Sequence, residues 1–551
     1  MSVYSTRWIS TLVALFAFRL AFGLSSEFFF EDETQIYLLG LRYHATGRWP
    51  FFGPDVVWTK SEIPGALQAL LVGVPLNVAP IPESPLVLLN VLSMGALAAL
   101  AWYLSRRLPS VPRWLLWGWL FTIPWTLQFS THVINPSYVL PAAIVFFLGF
   151  FEAVPVFRLG AIAPPLAYFM MGAAVAWIMQ IHLSWPLLLP YAATAWIGER
   201  RHGLRVLVAR AFAFAMGALV PGALLLPTLL TYGASAGSGG TLRNIDVHWV
   251  SPWVLVTTLA RLFSFASLEI NRFVATDDAK RLAFFAHDPW LVPLAAIVWL
   301  TGILQPIGML VACGRRWTAW PEWPALKRLV AASVVLVYVS YWFVLEPPQA
   351  HAFYLLAPIA FVFAAYCWTF VDSRRARAVA GVVLAVNVAF HAGLAWVYAR
   401  EKSLYRHRAV VAAAIRFKQP EMLSHRRPFA VDGGPPVLEV PSRPFDALRD
   451  VTLADATYRV GLGGFVTWTG TIRNANERVT FRDVLCVVTY RDEAGRIVEE
   501  RPEFIRDIFE PGDQRRVEIN DGIVRAGFAS ATIRVAAAEA LLPSAPDPDR
   551  Q

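Results

Sequence analysis

Basic residues recur in every second gap between the apolar stretches of this chain, and that alternation restricts it to one kind of architecture. Eleven stretches read as membrane-spanning, near residues 8–28, 84–104, 113–131, 134–152, 160–181, 183–198, 205–232, 290–313, 328–345, 352–371 and 377–399. Arg106, Arg107 and Arg113 follow the second stretch and Arg158 the fourth. Arg200, Arg201 and Arg205 follow the sixth, Arg315, Arg316 and Lys327 the eighth, and Arg374, Arg375 and Arg377 the tenth. Positively charged loops stay on the cytoplasmic side. These loops and the amino terminus are therefore expected in the cytoplasm. An odd number of spans then puts the carboxyl terminus outside. The expectation is a multi-pass α-helical protein of the cytoplasmic (inner) membrane.

Composition agrees with this reading: 56% of the 551 residues are hydrophobic and 16% charged, with a mean hydropathy of +0.49. The net charge of +9 does not point to nucleic acid, because the arginines sit between apolar segments and orient helices. Cys313, Cys367 and Cys486 are too far apart for a disulfide framework or a CxxC metal site. The first stretch is too long for a removable signal peptide and lacks its small-residue cleavage site.

Two outward segments, 27–83 and 233–289, are too long to be simple connections. The first opens on Glu31-Asp32-Glu33, directly behind the first span. Carboxylates so close to a bilayer lose solvation. They read either as a charged helix end marking where lipid stops, or as a general base held at the membrane surface. A helix-like stretch, Thr34 to Ala45, follows, then a turn through Gly47 and Pro50 and an apolar stretch from Ile63 to Val78. The last two helical pieces fit a lid on the outer surface. In the second segment, Pro252 to Leu268 is amphipathic enough to rest in the interface.

Beyond the membrane part (1–400), residues 401–430 read as an interfacial helix and linker. Residues 431–542 show short alternating strands at Gly464–Arg473, Val479–Arg491, from Arg496 and at Gly527–Ala536, separated by turns. That spacing points to an antiparallel all-β sandwich of immunoglobulin type. It resembles the FxLYD-type domains appended to bacterial envelope proteins, which are silent on activity but offer a surface for an envelope partner. Residues 543–551 are expected to be disordered.

Several motifs occur in a fixed order on the expected outer side. They are Asp32-Glu33, Gly47-Arg48-Trp49-Pro50, Lys60-Ser-Glu62-Ile-Pro64, Asn135-Pro136, Gln180-Ile-His182-Leu-Ser184 and His351-Ala-Phe-Tyr354. This order resembles the GT-C superfamily of integral membrane glycosyltransferases. The nearest group is the protein O-mannosyltransferases, aminoarabinose transferases and rhizobial lipopolysaccharide transferases. The resemblance implies transfer of a sugar from a polyprenyl-phosphate donor to an envelope acceptor: lipid A, a lipopolysaccharide core, another glycan or a protein. It carries the catalytic base over to Asp32, with Glu33 as the second candidate. Substrate contacts are expected at Lys60, Glu62, His182, Arg243, Arg272, His351 and Tyr354.

The chemistry needs few groups. An acceptor hydroxyl gains from a carboxylate that takes its proton in the transition state. The leaving lipid phosphate needs cationic or hydrogen-bonding support rather than a general acid. One carboxylate therefore suffices, with inversion at the anomeric carbon and no cofactor. Relatives carry an acid just after the proline of Asn135-Pro136, where this chain has Ser137, so no metal is expected. Arg19, within the first span, reads either as a counter-charge for a carboxylate or phosphate or as a structural pair. Two other classes stay open: a lipid-linked glycan transporter or flippase, and a non-catalytic envelope assembly protein.

Overall fold

The computed structural model describes residues 6–25, 30–56, 61–233, 247–274, 278–315, 320–343, 351, 353–401, 408–418, 447–460, 465–477, 479–523 and 528–541. The chain divides into two units, Met1–Pro420 and Glu421–Gln551.

The first unit is helical. α1 (Thr6–Ser25) and α2 (Phe30–Thr46) lead into a short hairpin of β1 (Phe52–Val56) and β2 (Ser61–Pro64), then α3 (Leu67–Val78) and α4 (Ser84–Arg107). α5 (Arg113–Thr122) and α6 (Pro124–Gln128) precede a 3-10 turn at Asn135–Tyr138, which opens α7 (Val139–Ala153). α8 (Pro164–Met179), α9 (Leu189–Glu199), α10 (Leu204–Gly222) and α11 (Leu226–Tyr232) follow. After them come α12 (Trp253–Ser264), α13 (Ile270–Val274), α14 (Asp278–His287) and α15 (Leu291–Arg315). The unit closes with α16 (Trp323–Ser340), α17 (Ala357–Val371), α18 (Arg374–Glu401) and α19 (Arg408–Phe417).

Among the described residues, eight helices are long and apolar enough to cross a membrane, and the chain is a multi-pass membrane protein. Three of the eleven expected spans are occupied by shorter pieces. The stretch 113–131 breaks between α5 and α6, where Pro124 cannot supply a helical N–H. α8 and α9 have 16 and 11 residues, shorter than the stretches expected there. Conversely, α12 and the segment Ser267–Val274 pass the same test as a pair bent by 101°. The sequence reading had placed this region in the interface. The bend sits at Phe265 and Ala266, two non-glycine residues with positive φ (49° and 65°), which no composition rule signals.

The helix expected from Thr34 begins four residues earlier, so the acidic cluster lies in the first turn of α2. Acidic side chains are favourable there against the helix dipole. α2 and α3 pack along each other, and α3 continues onto α4. α7 is buried over nearly its whole length and forms the axis of the bundle. α19 buries Val411, Ala414 and Ile415, and packs near α2.

The second unit begins with α20 (Ala447–Asp450) and carries six strands: β3 (Val451–Val460), β4 (Phe465–Asn474), β5 (Thr480–Arg491), β6 (Ile497–Phe509), β7 (Gln514–Ile523) and β8 (Ser530–Leu541). They form two antiparallel sheets, ordered β3-β4-β7 and β6-β5-β8. Alternate residues of β5, Val484, Cys486, Val488 and Tyr490, point into a core shared with Val466, Trp468 and Ile472 of β4. The Asn474 amide donates to the carbonyls of Val479, Phe509 and Glu510, tying the turn after β4 to the end of β6.

Candidate active site

The break between α5 and α7 sets the floor of the site. Residues 129–137 run without α-helical structure through the interior, and all but Asn135 are buried. Irregular backbone at this depth survives only where protein satisfies its polar groups. Arg19 of α1 does much of that. Its guanidinium donates to the carbonyls of Phe121 (2.7 Å) and Thr126 (3.2 Å) and to Ser130 Oγ (2.8 Å). This is the structural pairing. Among the described residues no contact joins Arg19 to a carboxylate.

The end of α1 approaches the same segment closely. A Cβ at Gly23 would collide with the Thr131 carbonyl, which explains the glycine. Phe22 lies edge-on between the rings of His132 (5.5 Å) and His391 (5.4 Å). Ser137 donates to the His132 carbonyl and accepts from the Ile134 N–H (3.2 Å). Its hydroxyl is engaged in shaping the turn.

Three other parts of the chain converge here. Tyr354, at the start of α17, packs its ring 5.3 Å from Trp125 and 5.6 Å from Phe129. His351 lies 6.5 Å from Phe129. On the bent pair, Phe273 also packs edge-on against Phe129 (5.9 Å), while Tyr398 donates to the Phe273 carbonyl (2.9 Å). The Trp125 N–H donates to the Phe265 carbonyl (3.0 Å), so the two irregular breaks are joined directly. Arg261 and Arg272 flank that bend, and both pair with the buried Glu269, at 3.2 and 3.7 Å.

Charge confirms the proximity of these groups. Burial pushes the His351 imidazole down to about 3, helped by the neighbouring His182, Arg272 and Arg261. Burial alone pushes His182 down to about 4. Both rings are thus neutral near pH 7 and act as hydrogen-bonding groups rather than cations. The Ser184 N–H donates to His182 Nδ1 (3.2 Å), so the neutral ring carries its proton on Nε2. The β1–β2 hairpin reaches the same end of the bundle. Gly65, at φ +120°, lies where a side chain would meet Gln180 at 2.6 Å, and Thr228 donates to the Phe51 carbonyl (2.6 Å).

Four of the expected site residues, His182, Arg272, His351 and Tyr354, therefore belong to one neighbourhood. Glu33 is buried in the first turn of α2, a helix that also touches the 135–138 turn. Asp32 lies in that same turn of α2 and Glu62 in β2; their side chains, and all of Lys60 and Arg243, lie outside the described residues. Reading by motif missed Arg261, Glu269, Ser130 and His132. Only the occurrence of Arg261 and Arg272 on one long segment between spans offered a signal. Gln128 Nε2, Asn135 Oδ1 and Tyr138 OH are also buried without hydrogen-bond partners among the described residues. Buried polar atoms of this kind mark where a polar ligand or water completes a site. No group of three His, Cys, Asp or Glu side chains gathers at metal-binding distance among the described residues.

An apolar groove of about 520 Å3 lies between α5, α15, α17 and α18. It runs from Val111, Ala312 and Val371 at the arginine-rich end to Phe265, Ser267 and Asn387 beside the breaks.

No family model matches the chain, and no curated protein matches it in sequence. Among solved structures, it is similar to the cryo-EM structure of arabinosyltransferase EmbB from Mycobacterium smegmatis, with a TM-score of 0.40 and 12% identity. The similarity covers 99% of this chain and 64% of that one, so this chain spans less than two thirds of its length. At this level the likeness assigns no activity.

Proposed function

We propose that this protein is a membrane glycosyltransferase that moves a sugar from a polyprenyl-phosphate donor to an envelope acceptor at the outer face of the cytoplasmic membrane. The observation that carries the reading is the convergence of His182, Arg272, His351 and Tyr354, from three separate parts of the chain, around one buried non-helical segment. The motif order of the sequence supports the same class. Asp32 takes the proton of the acceptor hydroxyl as its oxygen attacks the anomeric carbon. The bond from that carbon to the phosphate oxygen breaks, and the lipid phosphate leaves with the electron pair. Arg272 and Arg261 oppose the developing charge, and His182 and His351, both neutral, donate or accept hydrogen bonds. Attack opposite the leaving group inverts the anomeric centre. The isoprenoid chain lies in the apolar groove, whose inner end at Ser267 is two residues from Glu269. Lipid A, a lipopolysaccharide core, another glycan and a protein are all acceptors of suitable chemistry.

In this reading segments 27–83 and 233–289 and the carboxyl-terminal unit face outward. A reporter fused after Gln551 should be active only outside the cytoplasm. The activity is tested with purified protein in nanodiscs, given labelled polyprenyl-phosphate sugars and envelope acceptors. Consumption of donor with an inverted product is the expected result. Passage of lipid across vesicles without donor consumption would instead identify a transporter.

A further inference from the structure

Arg261 and Arg272 are eleven positions apart and stand on opposite arms of a bent pair of helices, yet both reach one carboxylate. Two features make that possible. The 101° bend turns the chain back on itself, and the left-handed pair Phe265–Ala266 that creates it is held from outside. The Phe265 carbonyl accepts from the Trp125 N–H, and its ring packs on Trp119 (4.9 Å) and Phe361 (5.5 Å). Such conformations are strained and persist where the surroundings over-determine them. Glu269 Oε1 then meets Arg261 Nε at 3.2 Å, and Oε2 meets Arg272 Nη1 at 3.7 Å. The acid keeps only 5% of its side chain accessible, whereas the arginines keep 31% and 38%. A buried anion thus sits between two cations that stay partly accessible. A guanidinium offers five N–H donors in a planar fork, more than one carboxylate oxygen takes up. Phe273, next to Arg272, packs on Phe129, whose ring lies 6.5 Å from His351, so the pair stands beside the neighbourhood described above.

We infer that Glu269 is a positioning residue, which locks Arg261 and Arg272 into a two-armed clamp for a lipid-linked phosphate beside His351. The inference rests on the donor reading above and adds the residue that organises its phosphate end. It makes a prediction opposite in sign to simple electrostatics. Glu269→Gln raises the local positive charge by one, so charge alone predicts tighter binding of an anion. Loss of the clamp predicts weaker binding, because two freed guanidiniums lose their fixed geometry.

The test uses the full-length protein in nanodiscs and measures binding of polyprenyl phosphate, the matching polyprenol and inorganic phosphate. Wild type should bind polyprenyl phosphate at least about tenfold tighter than the alcohol, a difference of about 1.4 kcal/mol. Inorganic phosphate should compete only weakly, which separates a lipid headgroup from a free-phosphate site. Glu269→Gln should lose most of the preference for phosphate, and Glu269→Asp should recover part of it. Arg261→Gln approaches the clamp from its accessible side and should show the same loss, which keeps the test decisive if the Glu269 variants fold poorly. In a turnover assay the donor KM should rise more than kcat falls. Glu269→Gln protein that binds the lipid phosphate as tightly as wild type, or tighter, overturns the clamp, and so does equal affinity for the alcohol. Wild type that binds polyprenyl phosphate through this clamp but transfers no sugar leaves the clamp standing and removes the transferase reading.

Discussion

The two ends of α7 use the same residue types to opposite purposes. Fifteen residues separate them, about 22 Å of helix. At the Ala153 end, Glu152 accepts from the Tyr103 hydroxyl (2.8 Å) and from the backbone N–H groups of Leu159 and Ala161 (3.0 Å each). Arg107 donates to Tyr103, Tyr366 and the Phe157 carbonyl, and pairs with Glu322 at 3.7 Å. Arg158 joins the Glu152 carbonyl to Glu199. Each of these charged groups meets a protein partner, and together they fasten the loops at the arginine-rich end. At the Val139 end, helices are broken, and Gln128, Asn135 and Tyr138 keep buried polar atoms without partners among the described residues. A closed network stabilises; polar capacity left over is what a ligand can use. The difference lies in how completely the groups are satisfied, not in which residues are present.

The comparison breaks most sharply at the carboxylate proposed as base. Asp32→Asn should leave insertion intact and lower turnover by about 10²–10⁴-fold, the range for loss of a general base. Glu33→Gln should be milder. Normal product from Asp32→Asn in the donor assay would remove the chemical reading of the open end. The next largest effect falls on its scaffold. Arg19→Met strips donors from the Phe121 and Thr126 carbonyls and Ser130, and should lower stability by about 3 kcal/mol. Chemical unfolding in detergent measures this, and an unshifted midpoint would show that the irregular segment stands without Arg19. At the closed end, Tyr103→Phe removes one buried hydroxyl shared by Glu152 and Arg107, a loss of about 1–2 kcal/mol. Turnover per folded molecule should not change. A fall in kcat without a fall in stability would mean that the closed end also takes part in chemistry.

Much of the scaffold was legible because membrane helices and half-buried strands declare themselves through composition and period. α4, α10, α15 and α18 lie where hydropathy places them, and β4, β5, β6 and β8 where alternation does. What was not legible depends on departures from period. The break at Ile123–Pro124 interrupts a run whose hydropathy is uniform, and the bend at Phe265–Ala266 uses residues with no preference for positive φ. β3 and β7 were missed because β3 is exposed along most of its length and β7 buries Val517 and Ile519 within an otherwise polar sequence. The site followed the same rule. His182, His351 and Tyr354 stand at helix ends, where motif order points. Glu269 and Arg261 acquire meaning only once the bend brings them together.

The smallest expected effect uses protons to probe the open end. His351 is held at about 3 in the folded protein against an ordinary 6.5, and His182 at about 4, both chiefly through burial. Below pH 6.5 the unfolded chain takes up protons that these folded rings refuse. Their neutral burial is therefore fully tolerated above about 6.5, and stability is lost progressively as pH falls toward 4. Arg272 and Arg261 sharpen the effect at His351, because a protonated ring would face two guanidiniums. His351→Asn should be close to wild type at pH 7.5 and should lose less stability on acidification to pH 5, read as a smaller drop in Tm. Arg272→Gln should move the same way by a smaller amount, because it removes one of the charges that hold His351 neutral. Carboxylates elsewhere contribute to acid sensitivity, so the informative quantity is the difference between variant and wild type across the window. Identical Tm losses in wild type and His351→Asn would mean that His351 does not sit among these cations, and the convergence on which the open end depends would lose one of its members.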